Sequence, residues 1–235
     1  MSDAARSAVV LGARNTGGAI TDRLLADGWR VTAVARSEET VRAVRDRGAR
    51  AVRADAADPD ELHEVLADAR AEQGGLDLVV NATAPRIPPG PFGGGPVADA
   101  DLAAFRAWAV PVAEQTFTFL HTGTAALRPG GGTLVQLTGG SSLRARAGSG
   151  LWAAGAFATR ALVHAAANEL REDGIHVALV VIDGTIGQHD GTGPGAGLRT
   201  ELDEIAAAVA FLAAPGQVRR THEIHLSRQH GYRPA

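Results

Sequence analysis

"SAVVLGARNTGGAI", residues 7–20, decides the fold. A short apolar run, SAVVLG (7–12), reads as a buried strand, and it passes into a helix through a turn holding Gly12, Gly17 and Gly18. Glycine lets a backbone turn tightly and approach a ligand phosphate, whose charge the helix N-terminus stabilises. Outward from this point the same alternation repeats. Further apolar runs lie at 29–35, 49–54, 76–81, 133–138, 175–182 and 221–226, with helix-length segments between them. Strand and helix in strict alternation predict a Rossmann-type, doubly wound parallel α/β sheet of about seven strands, as one domain over residues 1–235. Asp58-Pro59 supplies an N-cap followed by proline at the first helical position, so a helix is expected over 60–73. Asp99 or Asp101 is expected to cap a long segment running to Leu127, with Pro111 kinking it by freeing the carbonyl of Ala107.

Composition narrows the function classes. Net charge is −3 with acids and bases interleaved, so neither nucleic acid nor an anionic membrane is expected as partner. There is no cysteine, which excludes disulfides, thiolate metal sites and thiol nucleophiles. No signal-peptide layout or bilayer-length apolar run is legible, so a cytoplasmic protein acting on a small molecule is expected. All 23 basic residues are arginine, and the one tyrosine is Tyr232.

In an open α/β sheet, ligands bind beyond the C-terminal strand ends. Arg36 closes the second strand, where an acidic residue would suit a free ribose 2′-hydroxyl and an arginine suits a 2′-phosphate. Arg14 adds a charge inside the glycine loop, and Asp55 ends the third strand, placed to touch an adenine edge. In combination these residues favour NADP(H). Two Gly- and Pro-rich stretches, 84–98 and 183–197, follow strand ends and are expected to border the same edge.

With these residues in view, the chain resembles the short-chain dehydrogenase/reductases over essentially its full length. LGARNTGG resembles their TGxxxGxG loop: Gly12 and Gly18 match the outer glycines and Thr16 replaces the middle one, with Asn15 and Gly17 beside it. Asp55-Ala56 resembles the adenine-pocket Asp-Val, and Asn81-Ala82-Thr83 resembles the family's NNAG with threonine for the glycine. IDGTIG, containing Gly184 and Ile186, resembles the PGxVxT segment that receives the nicotinamide, with Asp183 for proline and Gln188 for threonine. The resemblance also implies a Tyr-x-x-x-Lys pair, a serine and an asparagine. Here Trp152 stands at the tyrosine position, Ala156 at the lysine, Gly139 near the serine, and Pro111 or a neighbour at the asparagine. An indole N–H donates a hydrogen bond but does not ionise near neutrality, so Trp152 cannot serve as general acid. It can be a pocket wall, or a core or interface aromatic.

Replacement chemistry can be sought at Ser141, with Ser142 beside it, and at His189-Asp190 in the second glycine-rich loop. Arg144 and Arg146 could draw an anionic substrate or sit in solvent, while His121 and His164 are expected to pack. Three functions are then expected in order: an NADP(H)-linked reductase working without the dyad; a redox-neutral cyclase, dehydratase or isomerase; or a non-catalytic nucleotide-binding protein. A homodimer or homotetramer is expected, built from the long apolar helices around 101–127 and 151–171 and made close by alanine and glycine along 153–167.

Overall fold

The structure is a computed structural model that describes residues 5–186, 199–214 and 221–227. Strand β1 (Ser7–Leu11) leads into helix α1 (Asn15–Ala26), followed by β2 (Arg30–Ala35), α2 (Glu38–Arg45), β3 (Arg50–Arg53), α3 (Pro59–Gln73) and β4 (Leu78–Asn81). Then come α4 (Leu102–Trp108), α5 (Val110–Leu127), β5 (Gly132–Gly139), a single 3₁₀ turn (Gly140–Ser142), α6 (Gly150–Glu169) and β6 (Ile175–Asp183). Two-residue strands β7 (Thr185–Ile186) and β8 (Arg199–Thr200), helix α7 (Leu202–Leu212) and β9 (Glu223–Ser227) complete the order.

Seven strands form one parallel sheet, the number and pairing the apolar runs predict, in the order β3-β2-β1-β4-β5-β6-β9, while β7 and β8 pair separately. One core joins the sheet to α1, α2 and α7 through Ile20, Leu24, Val41, Val44, Ile205 and Val209. The other joins it to α3, α5 and α6 through Leu62, Leu66, Phe119, Leu127 and Val163. With both faces covered, the central strands are mostly apolar, and all nine residues of β6 are buried. Chain order reverses direction between β1 and β4, so a crevice opens above their C-terminal ends.

The segment expected to run as one helix to Leu127 is two. Asp101 caps α4, its carboxylate accepting from the Ala104 amide at 2.7 Å. Pro111 then occupies the first turn of α5, where the missing N–H has no helical partner to lose, and the chain restarts at Ala109. Helix α6 packs directly on this break. A Cβ on Gly155 would stand 2.5 Å from the Ala109 carbonyl oxygen and 2.7 Å from the Val112 Cβ. Part of the small-residue run in α6 therefore seats it inside its own subunit, with Ala153, Gly155, Ala156, Ala166 and Ala167 all buried.

Edge strand β9 is tied to α6 by ions. Arg160 Nε donates to Glu223 Oε2 at 2.9 Å, His164 Nε2 lies 2.5 Å from the same oxygen, and His225 approaches the other. Partial burial opposes ionisation of Glu223, but the hydrogen bonds from Arg160, His225 and His164 outweigh it and lower its pKa from 4.5 to about 2. A carboxylate with a lowered folded pKa contributes stability that is complete above its unfolded value and disappears as pH falls toward the folded one. Urea midpoints are expected to fall as the medium is acidified from about pH 4.5 towards pH 2. The variant Glu223→Gln should show a flatter acid limb; an unchanged limb would contradict the tie.

Candidate functional site

A cleft of about 550 Å³ runs along the C-terminal strand ends, from Arg36, Ser37 and Asp55 past Gly12–Thr16 and Ala82–Pro85 to Gln136–Gly139, Trp152 and Ala156. A larger cleft of about 740 Å³ lies on the far side of α1, against α2 and α7. The larger one shares Ala13, Arg14, Asn15 and Thr40 with the smaller, but it mixes acids with arginines, Asp22 pairing with Arg47 at 2.9 Å, and reaches no residue of β4, β5 or β6. The smaller cleft is the one at the crevice.

At its near end the glycine loop hugs β2, the amides of Gly12 and Ala13 both donating to the Val34 carbonyl at 2.9 and 3.1 Å. Gly12 has φ +85°, and a Cβ there would lie 2.9 Å from the backbone of Ala82 and Thr83, so glycine is required on both counts. Asn15 takes a second left-handed step, φ +42°, one that asparagine tolerates better than most residues. Thr16 can therefore replace a glycine here, because the left-handed steps fall on its neighbours.

Arg14 and Arg36 are exposed at this end, and neither guanidinium has a partner among the described residues. Arg53 Nε donates to the Arg36 carbonyl at 3.2 Å and Ser37 caps α2, so the backbone beneath Arg36 is held. Asp55 and Ala56 border the same end, with the Asp55 carboxylate accepting from the Ala57 amide at 3.1 Å. Asn81 is buried under the middle of the cleft, where its amide donates to Gln136 Oε1 at 2.9 Å and its oxygen accepts from Thr83 N and Oγ1. The register pairs Asn81 with Gln136 across β4 and β5.

At the far end Trp152 is a wall and a packed aromatic at once. It borders the cleft, and its ring meets Trp108 at 6.3 Å and 81° and Phe92 at 5.3 Å. Phe92 and Trp108 contact each other edge to face at 5.8 Å, so each ring is braced by the other two. The 84–98 stretch reaches Trp152 because its glycine backbone lies flat on the start of α6: a Cβ on Gly94 would stand 2.7 Å from Leu151. Beside Trp152, Thr116 Oγ1 donates to the Val112 carbonyl at 3.1 Å, which leaves it to accept from Thr159 Oγ1 at 2.8 Å.

The expected site residues divide accordingly. Gly12, Arg14, Asn15, Thr16, Arg36, Asp55, Ala56, Ala82, Thr83, Trp152 and Ile186 border the cleft. Gly17 is buried in α1 behind it, Gly18 faces the larger cleft, and Gly184 is exposed off the end of β6. Ser141 lies in the 3₁₀ turn and does not border the cleft, and Ser142 donates to the Gly139 carbonyl at 2.8 Å. His189, Asp190 and Gln188 lie outside the described residues. Arg144 is not a solvated loop cation: its guanidinium contacts Asp183 at 2.5 Å and joins the turn after β5 to the end of β6. His121 stacks on Phe117 at 5.8 Å, and His164 belongs to the Glu223 cluster. Sequence reasoning missed Gln115, Thr116, Gln136, Thr138 and Thr159. Thr159 had a signal, standing one helical turn beyond Ala156.

The family model described as enoyl-(acyl carrier protein) reductase matches residues 12–226. Among solved structures, a blue fluorescent protein from a metagenomic library, in complex with NADPH, is 25% identical with a TM-score of 0.74, over 94% of this chain and 96% of that one. A metagenomic short-chain oxidoreductase in complex with NADP is 26% identical with a TM-score of 0.72, over 94% and 96%. A short-chain dehydrogenase/reductase mutant from Serratia marcescens, 22% identical with a TM-score of 0.77 over 94% and 96%, shares the fold. The comparison with curated proteins finds no match. With that family match spanning nearly the whole chain, on this strand order and with a glycine loop at its crevice, the protein belongs to the short-chain dehydrogenase/reductase family.

Proposed function

We propose that the chain is a cytoplasmic NADP(H)-linked oxidoreductase that acts on a small organic substrate without a Tyr-x-x-x-Lys pair. The observation that carries this reading is the pair of unpartnered guanidiniums, Arg14 and Arg36, beside Asp55 at one end of a cleft that reaches Trp152 and Ala156 at the other. The residues present fit the cofactor. Gly12 leaves a cradle that a Cβ would fill, and α1 presents its N-terminus to the same place. Arg14 and Arg36 would hold the 2′-phosphate through charge-assisted hydrogen bonds, and Asp55 and Ala56 would border the adenine. Ala82, Thr83, Ile182 and Ile186 would bound the nicotinamide half, near Trp152. The bound cofactor supplies or accepts hydride. Trp152 orients substrate and excludes water; among the described residues the ionising side chains that border the cleft, Arg14, Arg36 and Asp55, stand at the other end, and Asp183, next along β6 from Ile182, is paired with Arg144. The complexes that two relatives form with NADPH and NADP support the choice of nucleotide. Calorimetry tests it: NADPH is expected to bind more tightly than NADH, and equal affinities would overturn the assignment.

We also propose a homodimer or homotetramer through α5 and α6. Phe117 is 57% exposed and Phe157 42% exposed, and Ala154, Ala161 and Ala165 extend the exposed face of α6. Such a small-residue face permits close helix contact. Light scattering at micromolar protein is expected to give a dimer or tetramer mass; a monomer would contradict it.

A further inference from the structure

The far end of the cleft is equipped for a substrate that needs no proton. Among the described residues, the charged ones that border the cleft, Arg14, Arg36 and Asp55, all stand at the opposite end. Two hydroxyl protons at this end are already committed, Thr116 donating to the Val112 carbonyl and Thr159 donating to Thr116. Thr83 likewise donates to Asn81. What Thr159 keeps is oxygen lone pairs. Gln115, Thr138 and the Trp152 indole N–H can hydrogen-bond but do not ionise near neutrality.

Charge decides which acceptor suits such a place. Hydride transfer to a neutral ketone creates an alkoxide that must be protonated, and it leaves a new cation on the nicotinamide. Opposite charges then appear where no described ionising side chain borders the cleft and the nearby Asp183 is already paired with Arg144, which is costly in a low-dielectric site. A substrate that is already a cation avoids both problems. In an iminium ion the carbon accepts the hydride, the C=N π pair withdraws onto nitrogen as a lone pair, and a neutral amine results. The dihydronicotinamide is oxidised, the iminium is reduced, and no proton moves. One positive charge is present before and after.

Trp152 has the matching chemistry. An indole ring is the best of the aromatic side chains at attracting a cation over its face. Contacts with Phe92 and Trp108 hold this one in place. We infer that the acceptor is an organic cation of the iminium class and that Trp152 is the wall that recognises it. The inference rests on the nicotinamide reading proposed above.

The test uses two bicyclic probes of similar size, the permanently charged N-methyl-3,4-dihydroisoquinolinium and the neutral 1-tetralone. Full-length protein is first titrated calorimetrically with tetrahydro-NADPH, which has no transferable hydride. If this nucleotide does not bind, the cofactor reading fails. With the nucleotide bound, the cation is expected to bind about tenfold more tightly than the ketone, a preference that Trp152→Leu abolishes and Trp152→Phe partly retains. With NADPH, the cation should be reduced at least about 10²-fold faster than the ketone, the scale of a missing general acid, with a rate flat across about pH 6–8. Nucleotide binding with equal affinity for the two probes would overturn the cation proposal alone. So would a ketone reduced as fast as the cation, a rate that rises with proton uptake, or a preference that survives in Trp152→Leu.

Discussion

Arg36→Asp is expected to weaken NADPH binding by about 10- to 100-fold and to leave NADH bound as well as before or better, reversing the preference. Hydrogen bonds to a charged group contribute about 1.5–3 kcal/mol net, which sets that range. The substitution removes one of two cations at the 2′-phosphate and introduces repulsion, while a carboxylate at the end of β2 can accept from the free ribose hydroxyl of NADH. The backbone should not move, because Arg53 and the Ser37 cap hold the carbonyl and the following helix. Arg14→Ala should show a smaller loss in the same direction. Both effects should shrink as salt is raised, since the two guanidiniums are exposed. Calorimetry with both nucleotides checks this, and an unchanged NADPH to NADH ratio in Arg36→Asp would remove the arginine from the site.

The second large effect is expected from the double substitution Trp152→Tyr with Ala156→Lys, which restores the family's pair. Proton transfer from a positioned side chain typically contributes about 10²–10⁴-fold, so weak carbonyl reduction should appear where wild type shows almost none. The native reaction should be lost. Ala156 is 2% exposed, beside the Thr116–Thr159 hydrogen bond, and a lysine there must enter the cleft. Overpacking of that kind costs about 1–3 kcal/mol, and the added ammonium repels a cationic substrate. Steady-state rates on a ketone and on a cationic acceptor, together with a thermal midpoint, separate the outcomes. A native rate that rises on restoration would mark Trp152 and Ala156 as plain loss and not as adaptation.

Most of the sheet was legible in the sequence because a strand covered on both faces is mostly apolar, and seven apolar-rich runs stand out. The start of α3 was legible for a local reason: Asp58 accepts from the Asp60 and Glu61 amides, as an Asp-Pro pair at a helix start leads one to expect. The split between α4 and α5 was harder. Apolar residues continue across it, and whether Pro111 kinks a helix or begins one depends on whether the chain before it is already capped.

The site was legible where it consists of backbone. Gly12 signalled a close approach by its type alone. Its polar interior was not, because those groups matter through partners far along the chain. Thr116 meets Thr159 across 43 positions, Asn81 meets Gln136 across 55, and Arg144 meets Asp183 across 39. Nothing local distinguishes such a threonine from one that caps a turn. Ser141 shows the converse, a residue of suitable chemistry at the correct strand end that sits in the 3₁₀ turn two residues past Gly139, the last β5 residue bordering the cleft.

The aromatic cluster at the far end also gives the protein an optical property. Two of its three tryptophans, Trp108 and Trp152, have ring centroids 6.3 Å apart, with Trp152 at the cleft, and the third, Trp29, is buried in the core shared with α1 and α2 with Arg6 over its ring. Indole emission overlaps the absorption band of a reduced nicotinamide, so excitation of the pair would drain into that ring as soon as it arrived. The polypeptide would dim at its own wavelength and brighten at the coenzyme's. Occupancy of the cleft could then be followed in unlabelled protein by light alone.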